Sequence, residues 1–102
     1  MNQKSDFERI DHSNFKVTGD LTFSSAASVW DQAKTLLPGM EEDNVTIDIG
    51  SASELDSGGL ALLIAWSRWA YCNKKELIFS NASDQVRKLV EVNKLQGLLK
   101  LA

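Results

Sequence analysis

The sequence is poor in the residues that carry chemistry. Its single cysteine, Cys72, cannot close an internal disulfide, fits a reducing compartment, and has no histidine at a recognisable spacing. Its single histidine, His12, falls in the turn-forming run Asp11-His12-Ser13-Asn14, where a surface position is expected. Paired carboxylates, metal-ligand spacings and triad orders are also missing, so the chain reads as a non-enzyme with no cofactor and no metal. Basic residues are not in excess. Eleven Lys and Arg against 14 Asp and Glu give a net charge of −3 with no basic stripe, which argues against nucleic acid as a partner. No run approaches the roughly 18 apolar residues of a membrane span. Met1 to Asp11 lack the apolar stretch of a signal peptide. The expectation is a cytoplasmic protein with no segment inserted in a membrane.

What is present suits one small domain over residues 1–102, with Met1 to Ser5 loose. The hydrophobic fraction of 43% is that of a globular chain and rules against disorder. Phe7 to Asp11 reads as a short edge strand. From Asn14 to Phe23, Phe15, Val17, Gly19, Leu21 and Phe23 alternate with polar residues, the pattern of a strand buried on one face. Gly19 marks a bulge or a bend within it. Ser24 and Ser25 offer N-caps for a helix to about Leu37, striped by Ala26, Trp30, Ala33 and Leu37 and ended by Pro38-Gly39. Glu76 to Ser80 holds Leu77, Ile78 and Phe79, a run suited to a strand covered on both faces. Val86, Leu89 and Val90 give a third amphipathic helix ending near Asn93, and Leu95, Leu98 and Leu99 a closing helical turn. Helices between the later strands imply crossovers, so the strands at Val45 and Leu77 should be parallel neighbours and the first two strands a hairpin.

The most function-like stretch is Ile47 to Ile64. Val45, Ile47 and Ile49 alternate as a strand, Gly50 to Glu54 read as a polar loop, and Leu60, Leu63, Ile64, Ser67 and Tyr71 recur as a helix. Asp56-Ser57-Gly58-Gly59 stand at its start. Capping by Asp56 or Ser57 follows from spacing alone, and a hydroxyl held there is also placed for a partner or a phosphate. Two adjacent glycines cost helix stability and suggest a close backbone approach, from within the fold or from a partner. The helix over Ser57 to Asn73 has a wide apolar arc. Trp66 is assigned to the core and Trp69 to an interface, while Ala61, Ala65, Arg68 and Cys72 share one narrow face.

Leu55-Asp56-Ser57-Gly58-Gly59-Leu60, opening a helix after a strand and a polar loop, resembles the signature of STAS domains, the family of anti-sigma factor antagonists. The element order extends the resemblance over nearly the whole chain. It implies an α/β STAS fold, a small mixed sheet of about four to five strands packed with about three to four helices. In antagonist members the residue matching Ser57 is phosphorylated by a kinase that is also the anti-sigma factor, which breaks their pairing. Gly58-Gly59-Leu60-Ala61-Leu62-Leu63 and Val92-Asn93-Lys94-Leu95 are similar to a narrower branch, the MlaB-type subunits of Gram-negative phospholipid ABC transporters that maintain outer-membrane lipid asymmetry. There the domain binds the cytoplasmic ATPase subunit, with the hydroxyl matching Ser57 at the contact. The antagonist branch more often carries Ser, Thr or Ala where Gly58 stands, so this chain departs from it. The resemblance thus implies a partner contact or phosphorylation site at Ser57, supported by Asp56, Gly58 and Gly59, with Leu62, Arg68 and Trp69 peripheral. The implied partner is an ABC transporter ATPase subunit or, in the antagonist branch, an anti-sigma kinase. Exposed apolar residues leave homodimerisation of the isolated chain open.

Overall fold

The computed structural model describes residues 5–102. The first strand, β1 (Asp6–Arg9), turns back on β2 (Asn14–Leu21) as an antiparallel hairpin, with Phe7 opposite Val17 and Arg9 opposite Phe15. The turn is made by Asp11, whose Oδ1 accepts the N–H groups of Ser13 and Asn14, both at 3.1 Å. His12 is exposed there. Ser5 is buried rather than loose, because its hydroxyl donates to the Asp20 carbonyl at 2.7 Å. The rest of the segment expected to be loose, residues 1–4, lies outside the described residues.

After α1 (Phe23–Leu36), the chain forms β3 (Asn44–Asp48), β4 (Ala52–Leu55), α2 (Ser57–Cys72), β5 (Glu76–Ser80) and α3 (Asp84–Val92). The sheet runs β1-β2-β3-β5, with β4 also on β2. As the crossovers require, β3 and β5 are parallel, Val45 facing Leu77. The β4 strand corrects the loop expected at Gly50 to Glu54. β2 is long enough to take two partners: Asn14 to Lys16 pair with β3, and beyond the kink at Gly19 (φ 81°) Gly19 and Leu21 pair with Ala52 and Leu55. Ala52-Ser53-Glu54 has no apolar alternation of its own, so tertiary pairing alone makes it a strand.

Both α1 and α2 pack on the sheet and on each other. Trp66 fills the centre at 0% exposure, its ring 5.4 Å from Phe7 and 6.3 Å from Phe79. Val86 and Val90 of α3 join the same core, as does Leu99 from the closing turn. The opposite face of the sheet carries Lys16, Thr18, Thr46, Asp48 and Ile78, none of them buried. Ile78 therefore corrects the expectation that β5 is covered on both faces. The tail continues past the helical turn: Phe79 N–H donates to the Lys100 carbonyl and Ala102 N–H to the Phe79 carbonyl, both at 2.9 Å, capping the β5 edge.

Candidate functional site

The site is the place where two helices begin. Asp56 is the N-cap of α2, in extended conformation, and its Oδ1 accepts Gly58 N–H at 2.8 Å and Gly59 N–H at 3.2 Å. Its Oδ2 reaches across the fold and accepts the N–H of Phe23, the first residue of α1, at 3.2 Å. One carboxylate thus caps two helix N-termini, where unpaired N–H groups and the helix dipoles favour negative charge. The Phe23 N–H is the largest cause holding the Asp56 carboxyl below its ordinary value of 3.8; desolvation, next in size, opposes it, and the Gly59 and Gly58 N–H groups add to the lowering.

The glycines make this convergence sterically feasible. A Cβ on Gly58 would lie 2.3 Å from Phe23 Cα, and one on Gly59 would lie 1.9 Å from the Leu21 carbonyl oxygen. The same Leu21 oxygen accepts the Asp56 N–H at 3.2 Å. The close approach expected at Gly58-Gly59 therefore comes from within the fold, from the junction between β2 and α1. Ser57, between Asp56 and Gly58, is exposed on a helix start that its neighbours pin in place.

Phe23 is the residue that the sequence pattern misplaced. Alternation put it on the buried face of a strand with Leu21, but it is the first residue of α1 and 83% exposed. Thr22 ends the extended backbone as N-cap, its N–H donating to Ser25 Oγ at 3.0 Å. The available signal was Thr22 with a hydroxyl three residues on, a variant of the capping box.

Of the peripheral contacts expected, Leu62 is buried at 4% exposure and has little surface to offer. The reason is that α2 is packed by α1 as well as by the sheet, which widens its buried arc. Arg68 is exposed and Trp69 is half-buried against the core. At 1.5 Å per residue, both stand about 16 Å or more along α2 from Ser57, so the fold does not bring them to the same spot. Arg68 instead lines an open groove of about 470 Å³ at the far end of α2, with Tyr71, Cys72, Leu77 and Leu98. Among the described residues, no group of three or more His, Cys, Asp or Glu could hold a metal ion, and no helix is long and apolar enough to cross a membrane.

Two solved structures of the anti-sigma factor antagonist SpoIIAA share this fold. The unphosphorylated form matches with a TM-score of 0.72 at 18% identity, over 96% of this chain and 87% of that one. The phosphorylated form, described as a Bacillus cell fate determinant, matches with a TM-score of 0.69 at 17% identity, over 96% of this chain and 90% of that one. At such identities the likeness speaks for the fold alone. A family model described as "Mlab, STAS domain" matches residues 8–100, which runs from within β1 to Lys100 and takes in the Asp56 helix start. On that match, which spans nearly the whole chain, the chain belongs to the STAS domain family.

Proposed function

We propose that this chain is a non-catalytic adaptor. It docks on the cytoplasmic ATPase subunit of a phospholipid-transporting ABC complex and supports that subunit's assembly and activity, in a system that maintains outer-membrane lipid asymmetry. The observation that carries this reading is the match of residues 8–100 to the family model that bears the MlaB description. The site supports it. Ser57 is an exposed hydroxyl on a rigid helix start, and rigid placement lowers the entropy lost on docking.

The test is a titration of the purified ATPase subunit with wild-type chain and with Ser57→Glu. A carboxylate forced into the contact would be desolvated without a partner, and the affinity should fall by about tenfold or more. Equal affinities would refute docking through Ser57.

A second reading, a phospho-switched anti-sigma antagonist, is favoured by the likeness to SpoIIAA, solved in unphosphorylated and phosphorylated forms. Against it, Asp56 already takes the N–H groups of Gly58, Gly59 and Phe23. A phosphate on Ser57 would find those donors occupied and a carboxylate beside it. Phosphoserine at Ser57 in protein from native cells, with a kinase-like ATPase co-purifying, would displace the transport reading.

A further inference from the structure

We infer that Phe23 is the apolar anchor of the surface that Ser57 belongs to, received by a pocket on the same partner protein whose rim is basic. This rests on the reading of Ser57 as a partner contact. Phe23 is 83% exposed in the first turn of α1, where an aromatic ring gains nothing from the fold. Its backbone is nonetheless fixed with unusual tightness. Both chain neighbours of Ser57 bear on it: the Asp56 carboxylate accepts its N–H at 3.2 Å, and Gly58 lies so close that a Cβ there would come within 2.3 Å of its Cα. The backbone that carries the ring is therefore held against the start of α2, where Ser57 stands. Thr22 and Ser24 flank it in the chain and Ser57 lies between the two residues that bear on its backbone, so hydroxyls adjoin the apolar residue. Exposed rings on rigid backbones with polar rims are the form that dominant interface residues take.

The charge around the ring selects the kind of occupant. Glu54 and Asp56, both exposed, stand at this junction, while Asp31 farther along α1 is paired with Lys34 at 3.4 Å, and residues 17–33 and 50–67 contain no Lys or Arg. Glu54 is exposed on β4, whose Leu55 pairs with Leu21 beside Phe23. An anionic membrane or a nucleic acid would be repelled by this surface. A protein pocket with basic residues at its edge would be complementary to it.

The test titrates the purified ATPase subunit with full-length wild type, Phe23→Ala, Glu54→Lys and Tyr71→Ala. Tyr71, 85% exposed near the far end of α2, is the matched control. Phe23→Ala should weaken binding by about tenfold or more with an unchanged thermal midpoint, since an exposed ring contributes little to folding. Glu54→Lys should slow association at low salt, and Tyr71→Ala should stay within about twofold of wild type. Phe23→Ala within about twofold of wild type, beside a weakened Ser57→Glu, would overturn the inference and leave the Ser57 contact standing. Wild type that ignores the ABC subunit and binds a kinase-like ATPase ends the transport reading alone. Phe23 is then judged by the same wild-type to Phe23→Ala ratio on that protein. A wild-type dimer that Phe23→Ala converts to monomer, or Phe23-dependent binding to anionic vesicles, would also overturn it.

Discussion

Replacing Gly59 by alanine adds one methyl group and sets two effects against each other. Helix propensity favours alanine over glycine by about 1 kcal/mol, and less in a first turn. The added Cβ would meet Leu21 O at 1.9 Å, Leu21 C at 2.8 Å and Leu21 Cβ at 3.1 Å, where ordinary contact begins at 3.4 Å. The obstacle is strand backbone, not the end of a flexible side chain, and Leu21 is 0% exposed with its carbonyl bonded to Asp56. Either α2 or β2 must retreat by more than an ångström, in a core that packs like a crystal. Overpacking of this kind costs about 1–3 kcal/mol or more, and a backbone clash belongs at the upper end. The net loss should be about 2 kcal/mol, which in a domain of this size lowers the thermal midpoint by on the order of 10 °C. Circular dichroism melts of Gly59→Ala against wild type would read it. Gly97→Ala is the internal control, because a Cβ there meets nothing within 4 Å. A Gly59→Ala midpoint at or above wild type would refute the close-approach account of this motif.

Further outcomes follow from the same structure. Trp66→Ala should cost about 3–5 kcal/mol, a large part of a small domain's stability, and a urea midpoint near that of wild type would contradict Trp66's place at the core's centre. The Asp56 carboxyl is held below its ordinary 3.8 in the fold, so its stabilising effect is fully present above that value and is lost as the pH falls through the lower folded value. Asp56→Asn should thus flatten the acid side of the stability profile below about pH 4, and a profile parallel to wild type would sink the double-capping argument. Cys72 is exposed, so a thiol reagent should label it in the native protein nearly as fast as in urea; strong protection would contradict its placement.

Much of the fold was legible because its signals are local. The β1–β2 hairpin followed from alternation and an Asp11 turn, and the β3 and β5 pairing from the helix between them. Trp66 in the core followed from the wide apolar arc of α2. What was missed depends on distant partners. β4 is a strand because β2 outlasts β3, and Ile78 is half bare because no helix covers that face. Leu62 is buried because α1 lies beside α2. Nothing within a few residues of each encodes these outcomes.

The site divides in the same way. The sequence by itself determined that an acid, a hydroxyl and two glycines open α2, because N-cap chemistry is set by residues two and three positions apart. Only the tertiary structure decided what the glycines are for and what stands beside Ser57. Leu21 and Phe23 lie more than thirty residues earlier in the chain, yet they supply the carbonyl that crowds Gly59 and the N–H through which the Asp56 carboxylate is shared between two helices. That convergence depends on β2 delivering the start of α1 to the start of α2, and such a meeting is written in packing, not in spacing.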